Sequence, residues 1–155
     1  MKRVLFHSLT IPPDNVSTGM LVAELAVGFK NNDVQVEILA STPQYNYEDL
    51  EHKKLSSIDK RYSKSEYKGV KIYHINSKKR SFKESKRMFQ WLRFHYSSLR
   101  FLHRTRKTYE HVFIFSYPPT MNLVSIFVNK ILKLKVTYSV WELYPAIANN
   151  LNLFQ

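Results

Sequence analysis

The chain has 155 residues, enough for one ordinary domain, and 44% of them are hydrophobic, enough to cover a core. Its 14% aromatic content and 3 glycines argue against a disordered or low-complexity linker, and the lack of cysteine excludes disulfides and thiolate metal sites. A balance of 24 Lys and Arg against 12 Asp and Glu gives +12, which points to polyanionic partners: nucleic acid, anionic lipid or phosphorylated small molecules.

In chain order, residues 3 to 8 (RVLFHS) read as a short apolar strand. His7 and Ser8 interrupt the run before it could serve as a signal-peptide core. The loop LTIPPDNV follows, where Pro12 and Pro13 forbid helix and central strand alike. Ser17 or Thr18 can cap a helix running to about Asn31, with Leu21, Leu25 and Phe29 on one face and Met20, Ala23 and Val27 beside them. VQVEILA, 34 to 40, is a second strand, closed by Ser41-Thr42-Pro43. The polar stretch 44 to 65 is ambiguous and admits a short helix at 47 to 58. EYKGVKIYHINS reads as an extended element broken at Gly69, with Val70, Ile72 and His74 on one face and Tyr73 and Ile75 on the other. Between Lys78 and Lys107 lie eleven basic residues and one acid, Glu84. HVFIFSY, 111 to 117, is the most apolar strand, stopped by Pro118-Pro119. A helix from about Met121 to Lys133 and a strand KVTYSV then lead into WELYP.

Strands alternating with helices long enough to cross over a sheet predict an α/β fold, Rossmann-like, with a mainly parallel sheet flanked by helices. Right-handed crossovers put the C-terminal ends of parallel strands on one edge, where ligands bind in such sheets. That edge collects LTIPPDNVST, STPQYNY, SYPPT and WELYP. Glu142 falls there, just past a buried strand and shielded by Trp141 and Tyr144. Its carboxylate could act as a base, bind a hydroxyl or stabilise developing positive charge. The simpler reading of the residues alone, and the one isolated acids near helix starts favour, is that it caps the helix that starts near Pro145.

The segments Ile11-Pro12-Pro13, Ser17-Thr18-Gly19, Thr42-Pro43-Gln44-Tyr45, Tyr67-Lys68-Gly69-Val70, Ser116-Tyr117-Pro118-Pro119 and Val140-Trp141-Glu142-Leu143-Tyr144-Pro145 occur in an order that spans nearly the whole chain. In that order the chain resembles the N-terminal, acceptor-side domain of family-4 glycosyltransferases of the GT-B fold, of the bacterial surface-polysaccharide type. Where the family's closing motif has Arg-Asp-Leu-Trp-Pro-Glu, this chain reads Trp141-Glu142-Leu143-Tyr144-Pro145-Ala146. The resemblance implies sugar transfer from a nucleotide-sugar co-substrate to a lipid-linked or polysaccharide acceptor, with no cofactor and no obligatory metal. It implies Glu142 nearest the chemistry, Ser17, Thr18 and Gly19 on the donor-phosphate side, and Tyr45, Tyr117 and Tyr144 facing the acceptor. Residues 1 to 155 would form this domain alone. The family's donor-binding C-terminal half is absent from the sequence, so the chain is expected to be a truncated product or a subunit whose partner supplies that half, and to be inactive by itself.

Projecting Phe82 to Arg104 at 100° per residue puts Phe82, Met88, Phe89, Trp91, Leu92, Tyr96, Leu99 and Leu102 on one broad half, expected to face the core. The other half carries Lys83, Lys86, Arg87, Arg93, Arg100 and Arg104, with Phe94 and Phe101 among them. Cations with interspersed aromatics suit an anionic membrane surface, so Lys83, Arg87, Phe94 and Phe101 are the expected docking residues. The expected location is cytoplasmic, peripheral to the inner face of the cell membrane. A basic aromatic nucleic-acid-binding module would use the same ingredients, but no RNP-type strand pair, KH loop or zinc-finger spacing supports it. The six histidines lack paired metal-ligand spacing, and no nucleophile elbow, Walker loop or dinucleotide fingerprint is present.

Overall fold

In the computed structural model, residues 3–45, 55–81 and 83–141 are described. The elements are β1 (Arg3–His7), α1 (Ser17–Asn31), β2 (Gln35–Ser41), β3 (Ser56–Ser57), β4 (Tyr62–Tyr67), β5 (Val70–Ile75), α2 (Glu84–Thr105), β6 (His111–Phe115), α3 (Met121–Lys130) and β7 (Lys135–Ser139). They build one 7-stranded sheet in the order β3-β4-β5-β2-β1-β6-β7. From β5 to β7 the neighbours are parallel, while β4 runs antiparallel to β5 and β3 antiparallel to β4. The fold is a Rossmann-like α/β sheet flanked by helices, as the alternation of elements predicts.

Period-2 alternation along buried strands sends successive side chains to opposite faces. Val4 and Phe6 of β1, with Val36, Ile38 and Ala40 of β2 and Val70 and Ile72 of β5, face α1. Leu5, Leu39, Val112 and Ile114 face α2 and α3. Most of the strand YSKSEY, 62 to 67, falls in the stretch to 65 that reads as ambiguous because its residues are polar, while Glu66 and Tyr67 open the extended element expected there. The strand pairs with β5 through a two-residue turn in which Lys68 and Gly69 both have positive φ, the geometry that joins twisted antiparallel strands tightly. Lys68 is held there by Glu24, 2.6 Å away. Of the short helix expected at 47 to 58, residues 47–54 lie outside the described residues, and Ser56 and Ser57 are strand.

Two helices present a different face from the one expected. In α1 the buried residues are Gly19, Val22, Ala23 and Ala26, whereas Leu21 and Leu25 are exposed. Small residues at i, i+3, i+4 and i+7 let the helix lie against the sheet edge loops. A Cβ on Gly19 would come within 3.1 Å of the backbone of Thr10 and Ile11. Phe29 continues this stripe and packs edge-on against Phe6, with ring centroids 5.2 Å apart.

The larger correction concerns α2. Phe94 and Phe101, assigned above to membrane docking, are 2% and 9% exposed and belong to the core. Phe94 stacks on His7 with centroids 5.3 Å apart, and Phe101 packs against Tyr73 and Tyr62. The stripe they define includes Ser97, Ser98 and Leu102, all buried, and the serines admit close approach to the sheet. Met88, Phe89, Leu92 and Tyr96, expected in the core, are 57% to 68% exposed. At 100° per residue they fall on the face opposite the Phe94–Phe101 stripe. Trp91, Leu99 and Leu102 do face the core as expected, while Phe82 lies outside the described residues.

Candidate functional site

The parallel strands β5, β2, β1, β6 and β7 deliver their C-terminal ends to one edge, so the loops after them share a rim. Asp14, in the Pro12-Pro13 loop after β1, is the clamp of that rim. Its buried carboxylate accepts the backbone N–H of Gln44 at 2.9 Å and of Tyr45 at 2.7 Å, tying the β1 loop to the β2 loop. The Gln44 side chain extends the tie by donating from Nε2 to Ser41 Oγ at 2.6 Å and to Ser77 Oγ, after β5, at 2.8 Å. These loops are therefore held as one surface rather than as independent flaps.

Tyr45 and Tyr117, both expected on the acceptor side, meet across this surface with their hydroxyls 3.1 Å apart. The Arg80 guanidinium lies over the Tyr45 ring at 4.8 Å, and Trp91 meets the Tyr117 ring edge-on at 6.5 Å. Burial first, and the bond to Tyr117 second, push the Tyr45 hydroxyl well above the usual phenol range. It stays neutral at physiological pH and serves as a hydrogen-bonding group, not as a base. An aromatic pair with hydroxyl tips and a flanking guanidinium presents stacking surface and polar handles together, which suits a polyhydroxylated or aromatic ligand.

The third cluster is at the start of α1. Ser17 is the first helical residue and is exposed, Thr18 is half-buried and Gly19 is buried. The capping expected of Ser17 or Thr18 is not made: the N-cap is Val16, with no side-chain cap bond. No acidic residue occupies the first turn, so the positive end of the helix dipole is not neutralised there. Thr18 meets Ser8, Ser116, Tyr117 and Trp141 around a narrow crevice of about 10 Å³, room for about one water. Trp141 N–H donates to Ser116 Oγ at 3.1 Å, and its ring packs on Phe115 at 5.1 Å. The start of α1 and the chain leading into position 142 thus reach the same crevice. Glu142 and Tyr144 lie outside the described residues.

His7, at the end of β1, is fully buried beneath this rim, under Phe94. Its Nδ1 faces the Leu39 carbonyl at 3.1 Å, so Nδ1 carries the proton and Nε2 is left as a lone pair without a partner among the described residues. Burial lowers its pKa to about 4. His95, whose Nε2 pairs with Thr120 Oγ1 at 2.7 Å, is lowered to about 4 for the same reason. Both rings are neutral at pH 7 and help to hold the rim in place.

Beside the Tyr45 cluster, a cleft of about 500 Å³ opens between the end of β5, the 76–81 loop and the first turns of α2. Asp14, Arg80 and this cleft are absent from the expectations raised by sequence, and Trp91 is expected only as a core residue. Asp14 stands in a loop, where a carboxylate reads as solvated, and the cleft exists only because α2 overhangs the sheet. Of the expected membrane residues, Lys83 is exposed and Arg87 is partly buried, with its guanidinium 5.6 Å from the Trp91 ring. Among the described residues no group of three or more His, Asp or Glu is arranged to hold a metal ion.

No family model matches the chain, and no curated protein matches it at a significant level. Among solved structures, it is similar to the catalytic domain of starch synthase IV from Arabidopsis thaliana, a structure bound to ADP and acarbose. The TM-score is 0.64 at 13% sequence identity, over 90% of this chain. The chain spans 34% of the length of that protein. The likeness is one of fold, a Rossmann-like half of the GT-B type.

Proposed function

We propose that this chain is the acceptor-side half of a glycosyltransferase, moving a sugar from a nucleotide-sugar to a lipid-linked or polysaccharide acceptor. The observation that carries the reading is the convergence of Thr18, Ser116, Tyr117 and Trp141 around one narrow crevice. It puts the unneutralised start of α1, suited to donor phosphates, beside the segment that continues into Glu142. In this reading Ser17, Thr18 and Gly19 approach the diphosphate, and Tyr45, Tyr117 and Tyr144 line the acceptor path. Glu142 contacts the reacting hydroxyl or offsets the charge that develops at the sugar. The donor-binding half comes from further sequence or from a separate subunit, and the exposed apolar residues Leu123, Ile126 and Phe127 of α3, with Ile131 just after it, offer a surface for such a contact.

The membrane role also takes a new form here. No helix among the described residues is long and apolar enough to cross a membrane. The exposed face of α2 carries Met88, Phe89, Leu92 and Tyr96 beside a ridge of Lys86, Arg93 and Arg104, and this combination of rings and cations supports interfacial docking on an anionic leaflet. Attraction of about 1 kcal/mol per basic residue near such a surface makes the ridge sufficient for reversible binding. Co-expression of the chain with a donor-binding half, followed by transfer of labelled sugar to a membrane extract, tests the reading. Transfer that requires both halves supports it. A donor half that binds nucleotide-sugar but gives no transfer in the presence of this chain refutes it.

A further inference from the structure

We infer that the cleft between β5 and α2 is a binding site for a single anionic amphiphile, a phosphate-bearing head joined to an aliphatic chain. Its volume of about 500 Å³ lies in the range of small-molecule sites, which are largely apolar with a few convergent polar groups. Lys78, Lys86 and Arg93 line it, and none of its described lining residues is acidic. Beside these cations stand the hydroxyls of Ser77, Ser81 and Ser85. Cations and hydroxyls contributed to one cleft by a strand end, a loop and a helix suit a tetrahedral phosphate, which offers several acceptor oxygens at once.

The remaining wall is hydrocarbon. Ile75 and Phe94, each 2% exposed, form the floor, and Phe89 stands at the mouth at 68% exposed. From Phe89 the apolar surface runs on to Met88 and Leu92, both exposed, so a chain leaving the cleft would lie along α2. A free phosphate would leave this wall uncovered, and a neutral lipid would leave three cations unmatched.

The walls are set before any ligand arrives. Gln90 bridges the loop to the helix, donating from Nε2 to the Lys79 carbonyl at 2.8 Å and accepting from Ser81 N–H at 3.1 Å. Ser77 is fixed from the other side by Ser41 and Gln44. A preformed site avoids the entropy of ordering a loop on binding. The inference is read from the cleft alone and does not depend on the transferase reading. The two converge if the bound amphiphile is also the sugar acceptor.

Calorimetric titration of the full chain with decyl phosphate, below its micellar range, tests the site against inorganic phosphate and decyl maltoside. The expected result is saturable 1:1 binding of decyl phosphate, at least about tenfold tighter than either control. The double variant K86Q/R93Q should weaken it by a further factor of about ten or more, the loss associated with a charge-assisted hydrogen bond. Ser85→Trp, which fills the cleft from the exposed first turn of α2, should abolish the binding while leaving circular dichroism unchanged. Decyl phosphate binding no tighter than inorganic phosphate or decyl maltoside, or with unchanged affinity in Ser85→Trp, would overturn the assignment.

Discussion

His7 shows how a residue at a functional edge can serve the scaffold. Its burial lowers the pKa from 6.5 to about 4, so the unfolded chain binds the proton more readily than the folded one between those values. Stability contributed by the neutral ring is therefore complete above about pH 6.5 and is lost as pH falls toward 4. For His7 alone the loss is on the order of 3.5 kcal/mol, since one pKa unit corresponds to about 1.4 kcal/mol. His95 acts in the same window and direction. We expect the denaturant midpoint of the wild type to fall across this range, and His7→Gln, which keeps a donor for the Leu39 carbonyl, to flatten part of the slope. An unchanged slope would show that His7 does not titrate on unfolding. Sequence marks this histidine as a strand-end residue on the ligand edge. What it does not show is Phe94, 87 positions away, closing over the ring. Asp14 was illegible for a similar reason: a carboxylate in a Pro-rich loop looks solvated until the Gln44 and Tyr45 amides are seen to converge on it.

At the scale of elements, periodicity located the helices and strands but not which side of a helix is buried. In α2 two apolar stripes share 22 residues, Phe94–Phe101 with its serines and Met88–Tyr96 with larger side chains. Hydrophobicity favours the second, whereas packing against Tyr62, Tyr73 and His7 selects the first. The same preference for small side chains at a close contact hides Leu21 and Leu25 of α1 from the core. By contrast, VFIF, apolar on both faces, reads directly as a central strand because only a doubly covered strand tolerates that pattern, and the partly alternating VQVEILA reads as a strand beside it. The rotation of α2 yields a paired expectation. Phe101→Ala should lower unfolding free energy by about 3–5 kcal/mol, the usual cost of emptying a core aromatic site, and leave vesicle binding intact. The double variant F89S/L92S should leave stability within about 0.5 kcal/mol and weaken flotation with anionic liposomes. Loss of flotation in Phe101→Ala under conditions where it remains folded would restore the original docking face.

For the molecule as a whole, the order of elements alone was sufficient to read a mainly parallel sheet and a common rim, because right-handed crossovers leave few alternatives. The rim's contents were partly legible: Tyr45, Tyr117 and Thr18 arrive there as expected, while Arg80, Trp91 and the β5–α2 cleft depend on how α2 overhangs the sheet. The charge of +12 also resolves into separate uses at this scale. Lys71 and Arg3 serve Glu37 at the N-terminal end of the strands, whereas Lys78, Lys86 and Arg93 gather at the ligand edge. The proposed chemistry rests on Glu142 standing at that edge beside Thr18. Steady-state transfer kinetics of Glu142→Gln, with the donor-binding half present, test this most directly. The expected result is a kcat reduced by roughly 10²–10⁴-fold, with acceptor KM and melting temperature close to wild type. Wild-type turnover, or a loss of stability that accounts for the loss of rate, would show instead that Glu142 is a structural cap and that the transferase site lies elsewhere.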